Sequence, residues 1–298
     1  MTNKEQYIQL CENENFVAKL NVFAKPFWLD AVAENWDVCL ATDNHSSVVA
    51  VLPFCWKGKF ITKRIYLPDF NFYQSIIFLQ KDLSIEEKNK IAHDLFSQLP
   101  KTVKSYFKFQ TEYQEIDLTK LHFIKEDYFT YIIPKHQQIL NLSNNHKRNI
   151  QKGIKQQYAI ENSKNMEASF SLLTATFTRQ QLTPKISFNE FKNIISLANK
   201  YQCGKVIDCI DNKNNLLASA FIIEDTQTVY YLFSGYDTHF KNTGAMTFLL
   251  HYIILYALQQ KKDFNFCGSS KKSIANYFEG FGAEKTLIPI WKKSVLTS

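Results

Sequence analysis

The feature that most constrains this chain is the run Ala245–Gln260 (AMTFLLHYIILYALQQ), which is apolar on almost every face. Such a helix cannot lie on a surface, because solvent would meet a hydrophobic side whichever way it turned. It must be covered on several sides, most simply by the flat face of a sheet. The flanking segments supply strands: Val229–Tyr236 (VYYLFSGY) before the helix and Asp263–Ser269 (DFNFCGS) after it. Between the first strand and the helix lies the loop Asp237–Gly244 (DTHFKNTG). A strand-to-helix turn of this kind leaves the first helical amides without intrahelical acceptors, at the positive pole of the helix. The amides of Asn242, Thr243, Gly244 and Ala245 are therefore expected to cradle a phosphate or carboxylate. The same residues also fit a glycine-containing loop that merely starts a core helix.

At 298 residues the chain has room for about two domains of ordinary size. Its 45% hydrophobic and 15% aromatic content demands large packed cores and excludes a disordered chain. The net charge of +7 is a mild basic excess, suited to anionic partners such as phosphate esters but too diffuse for a dedicated nucleic-acid binder. Cys11, Cys39, Cys55, Cys203, Cys209 and Cys267 show none of the paired spacings of a zinc or redox motif, and the histidines are scattered, so no metal dependence is expected. There is no Gly-x-Ser-x-Gly elbow, Gly-Lys-Ser/Thr phosphate loop or His-Glu-x-x-His helix. The N-terminus (MTNKEQYIQL) is polar, and Ala245–Leu258 is too short to span a bilayer. The expectation is a soluble, cytoplasmic protein without a transmembrane segment.

The first half reads as a short helix at Pro26–Ala33, then strands at Val38–Ala41, Val48–Phe54, Phe60–Tyr66 and Ser75–Leu79. A helix should follow Ser84, an N-cap with Glu87 three residues on, and stop near Pro100. Further strands are expected at Val103–Phe109 and Tyr128–Ile133. The second half then repeats a piece of the first. With an offset of 168 residues, Asp43, Asn44, Ala50 and Phe54 fall on Asp211, Asn212, Ala218 and Ile222, within two hairpin-like segments of the same layout. That spacing suits two copies of one unit. The expected fold is α/β, with two tandem units of mixed, mostly antiparallel sheet flanked by helices, over residues 1–134 and 135–298. The second unit would carry the anion-binding loop at Asn242–Ala245.

The second unit opens on Ser143–Tyr158 (SNNHKRNIQKGIKQQY). On a helical wheel Arg148, Lys152 and Lys155 share one face, and Ile150, Ile154 and Tyr158 lie roughly opposite. A helix with one dry and one cationic side can present its charges to an anion, or simply be a solvated surface helix. Helices over Met166–Gln181 and Ser187–Tyr201 follow.

Three segments together resemble the GNAT acyltransferase superfamily, and within it the FemAB-like branch of tandem GNAT domains: Asn145–Gly153 (NHKRNIQKG), the strand-loop-helix Tyr230–Leu250, and Phe264–Lys285 (FNFCGSSKKSIANYFEGFGAEK). The first half agrees more loosely, through KPFWLDAV around Trp28 and VAVLPF at Val49–Phe54. The resemblance implies an acyl-CoA or an aminoacyl-tRNA as donor and an amine as acceptor. In the family's pyrophosphate loop Lys241 and Gly244 match, whereas Met246 stands where a small residue is usual. The late strand carries Asn265 where an acid is common, so any base role there is lost. A family tyrosine that protonates the leaving group aligns with Phe278, which makes its neighbour Tyr277 the candidate proton donor.

Acyl transfer from an ester or thioester to an amine needs near-attack geometry, an N–H donor for the carbonyl oxygen and a route for the amine proton. Lys241, Asn242, Thr243, Gly244 and Ala245 are the expected donor-binding residues. Arg148 and Lys152 would hold an anionic part of donor or acceptor, and Tyr231, Ser234, Tyr236 and Asn265 would line the acceptor pocket. No residue stands out as base; Glu224, Asp225, Asp237 and His239 are near the relevant strands. Three readings follow: an N-acyltransferase using acetyl-CoA or another acyl-CoA; a transferase passing an aminoacyl group from tRNA to a cell-wall (peptidoglycan) precursor; or a GNAT-fold module that only binds.

Overall fold

The computed structural model describes residues 1–80, 82–179, 186–240, 242–268 and 271–294. Along the chain the elements are α1 (Asn3–Leu10), α2 (Glu14–Val17), α3 (Pro26–Val32), β1 (Asn35–Thr42), β2 (Val48–Lys57), β3 (Arg64–Tyr66), β4 (Ile77–Phe78), α4 (Ile85–Ser97), β5 (Lys104–Lys108) and β6 (Ile124–Ile133). They continue with α5 (Asn144–Lys155), β7 (Ala159–Asn162), α6 (Met166–Arg179), α7 (Phe188–Lys200), β8 (Gly204–Ile210), β9 (Leu216–Glu224), β10 (Thr228–Tyr236), α8 (Ala245–Gln259), β11 (Asp263–Asn265), α9 (Lys272–Glu279) and β12 (Glu284–Ser294). Two compact units result. Met1–Phe129 and the chain from Leu287 on form one, and Thr130–Thr286 form the other. A division at 134/135 in chain order leaves no way to return the last strand to the first unit, yet β12 pairs with β5 there, Ile290 opposite Lys108 and Ser294 opposite Lys104.

In the first unit β1 and β2 are antiparallel, β2 continues to β3, and β3 meets β5 in parallel at Arg64 and Lys104. Phe96, Phe107, Phe109, Phe123 and Trp291 fill its main core, with Phe96 edge-on to Phe123 at 5.2 Å. The Ser84 side chain accepts from the Glu87 amide while the Glu87 carboxylate accepts from the Ser84 amide, so α4 begins with the box its sequence announces. The strand expected from Phe60 is shorter than its apolar residues suggested. Phe60–Thr62 form a single 3-10 turn, and β3 starts at Arg64.

In the second unit the strand order is β6-β11-β10-β9-β8-β7. α8 packs on this sheet with Leu249, Leu250, Ile253, Ile254 and Ala257 fully buried. It is not enclosed all round: Tyr252 is 49% and Leu255 38% exposed, so one flank faces water. Among the described residues, no helix is long and apolar enough to cross a membrane.

The repeat seen in the sequence is structural. In β1–β2, Ala41 pairs with Ala50, the register slips, and Thr42 pairs with Val48. In β8–β9, Cys209 pairs with Ala218, the register slips at the same place, and Ile210 pairs with Leu216. The turns agree bond for bond. The Asp43 carboxylate accepts from the amides of His45 and Ser47, and that of Asp211 accepts from Lys213 and Asn215. Ser46 and Asn214 take the left-handed conformation at φ +62° and +61°. An aspartate that ties down its own turn explains why this pair of positions stayed legible.

Candidate active site

β10 and β11 pair in parallel only from Thr228 to Tyr230 and from Asp263 to Asn265. Beyond that point β10 runs on to Tyr236, while the other chain turns away at Cys267 and Gly268, both at positive φ. A cavity of about 960 Å³ opens between them, within the second unit. The consecutive residues Tyr231 to Tyr236 line it, so the backbone edge that β10 withholds from β11 forms one wall. A bulge between Tyr231 and Phe233 shifts β10 against β9 just at that wall. The first turn of α8 closes one end, with Lys152 of α5 and Tyr277 of α9 beside it.

Two glycines make the site possible. Gly244 is the N-cap of α8 at φ +76°, and a Cβ there would lie 2.9 Å from Asn149, so backbone and space both require glycine. At Gly235 a Cβ would come within 1.9 Å of the Leu172 carbonyl oxygen, which shows how closely α6 lies against β10. The Thr176 hydroxyl of α6 donates to the Ser234 carbonyl at 2.9 Å and holds that contact.

The anion cradle differs from the one expected. The Thr243 amide donates to the Phe240 carbonyl at 3.0 Å, and the Ala245 amide to the Thr243 hydroxyl at 3.3 Å, so two of the four amides are already used. Among the described residues, the amides of Gly244, Met246 and Thr247 have no acceptor. The open donors thus sit further into the helix, because the loop folds back on itself through Phe240. Met246 lines the cavity, and its sulfur accepts from the Tyr231 hydroxyl at 3.8 Å. A thioether there narrows the space for a diphosphate.

Of the residues singled out in the sequence, the structure brings together Lys152, Tyr231, Ser234, Tyr236, Asn242, Thr243, Gly244, Ala245 and Tyr277 around the cavity. The Lys152 ammonium donates to the Asn242 carbonyl at 3.4 Å, and the Tyr231 hydroxyl bonds Ser234. Tyr277 lies 3.2 Å, oxygen to oxygen, from Thr247. Its neighbour Phe278 is 5% exposed and stacked on Phe266 at 4.3 Å. Burial pushes the phenols of Tyr277 and Tyr231 far above their ordinary range, which keeps both protonated.

Two expected residues lie elsewhere. Arg148 is exposed and does not line the cavity. Asn265 is 2% exposed, and its side-chain amide oxygen accepts from the Thr130 hydroxyl at 2.6 Å and the Cys267 amide at 2.8 Å; it fixes the turn after β11 and is not among the residues that line the cavity. Lys241 lies outside the described residues. The dry side of α5 is His146, Ile150 and Gly153, whereas Ile154 is 54% exposed, which rotates the helix from the face expected.

The acids near the strands are occupied. Glu224 pairs with Lys262 at 2.6 Å and accepts from Tyr256 at 2.8 Å; Asp225 accepts from the amides of Gln227 and Thr228; Asp237 accepts from the His239 amide. Among the described residues lining the cavity there is no carboxylate and no imidazole. Asn149, Thr176, Phe177 and Cys267 also line it and carry no local signal. Thr247 did carry one, as a polar break in an apolar helix.

A sheet opened between two parallel strands, with a helix N-terminus at the gap, defines the class: a GNAT-fold protein of the acyl-transferring kind, built from tandem units. The FemAB family model matches residues 119–273, and the chain belongs to the FemAB family. Among solved structures, FemX is similar over 97% of this chain and 96% of its own, at 12% identity and a TM-score of 0.66. L-PGS from Bacillus licheniformis covers 88% and 86% at 8% identity and a TM-score of 0.55. A tandem GNAT protein from the clavulanic acid biosynthesis pathway covers 98% and 94% at 9% identity and a TM-score of 0.49. For FemX and L-PGS the likeness is one of fold. A comparison with curated proteins gives no match.

Proposed function

We propose that this protein is an aminoacyltransferase, which passes an aminoacyl group from a charged tRNA to an amine of a peptidoglycan precursor. The observation that carries this is the FemAB match over residues 119–273, which includes every element lining the cavity up to the start of α9. The half-closed cradle supports it further. With the Thr243 and Ala245 amides committed and Met246 in the gap, the cavity suits an ester end with single phosphates better than a diphosphate. In this reading the acceptor nitrogen attacks the ester carbonyl, the carbon–oxygen bond to the ribose breaks, and the ribose oxygen takes a proton from Tyr277. The amine proton leaves through water, since the described residues lining the cavity include no carboxylate and no imidazole. Lys152 and the amides of Gly244, Met246 and Thr247 hold donor phosphate.

A second reading, acyl-CoA as donor, is favoured by those same open amides. The two are separated by supplying labelled aminoacyl-tRNA or labelled acetyl-CoA with a peptidoglycan precursor. Label transferred from tRNA and none from acetyl-CoA is the expected result. Transfer from acetyl-CoA alone overturns the aminoacyl reading in favour of the second. No transfer from either leaves a module that binds.

A further inference from the structure

The first unit carries a feature that acyl transfer does not use. Between β2 and β3 the chain makes a projecting turn, Lys57-Gly58-Lys59-Phe60-Ile61-Thr62-Lys63-Arg64, on which Phe60 is 93% and Ile61 87% exposed. Adjacent apolar side chains so bare at the tip of a loop are unusual for a surface that meets water alone. The turn is built, not frayed. Gly58 sits at φ +84° with no room for a Cβ, the Thr62 hydroxyl accepts from the Lys59 amide at 3.1 Å and donates to the Lys59 carbonyl at 2.8 Å, and the Lys63 amide closes on the Phe60 carbonyl at 3.2 Å. Phe60 itself is held at φ +45°, a strained conformation for a bulky side chain. The strain keeps an aromatic ring pointed at solvent.

The charge within this turn is of one sign. Lys57, Lys59, Lys63 and Arg64 fall within eight residues that contain no acid, and β5 brings Lys104 opposite Arg64 in the sheet. Lys57 and Lys63 lie over the rings of Tyr66 and Trp56 at 4.1 Å, which lays their stems along apolar surface and sets their ammonium groups as a collar behind the tip. An apolar tip with a cationic collar matches the two layers of a bilayer surface, acyl chains below and anionic headgroups above. A polyanion such as nucleic acid would use the collar and leave Phe60 and Ile61 bare. A protein partner would have to supply a pocket and an acidic rim together.

We infer that the Lys57–Arg64 turn docks this protein on an anionic lipid bilayer, with Phe60 and Ile61 entering the headgroup boundary. The test is flotation of the full chain with vesicles of phosphatidylcholine alone or with phosphatidylglycerol added. Binding is expected to the anionic vesicles and to weaken in high salt. The double variant Phe60→Asn with Ile61→Ser should lose at least about tenfold in partitioning, and Lys59→Gln about fivefold for the lost charge. Both positions face solvent, so an unchanged melting temperature is the check on folding. Equal binding to neutral and anionic vesicles overturns the proposal, and so does wild-type binding by the double variant. Concentration-dependent dimers abolished by the double variant, without vesicle binding, would assign the tip to a second copy instead. Failure here leaves the chemistry of the cavity untouched, because donor use is measured without vesicles.

Discussion

The hydroxyl of Thr247, in the first turn of α8, lies 3.2 Å from the phenol oxygen of Tyr277 on α9. The pair joins the helix that offers open amides to the side chain proposed as proton donor. Burial holds the phenol protonated, and Thr247 orients it. Tyr277→Phe should therefore lower kcat by about 100-fold or more while leaving the donor KM within about threefold, the pattern of a lost proton donor. Steady-state kinetics with the preferred donor decide it; a variant that turns over like wild type removes Tyr277 from the chemistry.

Lys152 and Arg148 lie one helical turn apart on α5, yet Lys152 alone of the two lines the cavity. Lys152→Ala should raise the donor KM roughly fivefold, an effect that shrinks at high ionic strength, and Arg148→Ala should change neither KM nor kcat. Equal effects of the two substitutions would mean that the helix presents its cationic face as a whole.

Gly235 is where β10 and α6 touch backbone to backbone. A methyl group there meets the Leu172 carbonyl oxygen at 1.9 Å, so Gly235→Ala must push α6 away. The expected cost is about 1–3 kcal/mol, read as a lower melting temperature or urea midpoint, together with weaker substrate binding as Thr176 and Phe177 shift. A variant as stable as the parent would place α6 further from the strand than this contact requires.

Asp208 is 5% exposed, and both its carboxylate oxygens accept from the Ser169 hydroxyl, at 3.0 and 2.9 Å. Burial raises its pKa, neighbouring serine hydroxyls offset part of the shift, and the Glu161 carboxylate adds to it. The folded state thus binds this proton more tightly than the unfolded chain does. The stabilisation is full below the ordinary carboxylate value of about 4 and is lost as pH rises through the raised folded value. Asp208→Asn removes the titration, so the variant should gain on wild type between pH 4 and 7 in urea unfolding. A difference that stays constant over that range contradicts the assignment.

How much of this was legible beforehand differs between elements for physical reasons. The α4 start was readable because Ser84 and Glu87 satisfy each other's amides within four residues, and the paired hairpins because Asp43 and Asp211 each close their own turn. Apolar composition misled at Phe60 and Ile61, since a left-handed Phe60 converts an apparent strand into a turn that exposes both. Asn265 reads as a pocket residue from its place in the late strand of the family pattern. Its partner Thr130 is 135 residues away in the chain, and no local pattern reports that hydrogen bond.

By itself the sequence determined the tandem α/β plan, the buried helix α8, the loop that starts it and nine of the residues that meet in the cavity. These follow from periodicity, turn chemistry and the amides that a helix start leaves open, all of which act over a few residues. Tertiary structure alone decided which amides remain open, that Lys152 and not Arg148 reaches the cavity, that the C-terminal strand returns to the first unit, and that Tyr277 takes the place beside Thr247. Those outcomes depend on how helices rotate against a sheet and where two strands part, which are settled by packing between segments far apart in the chain.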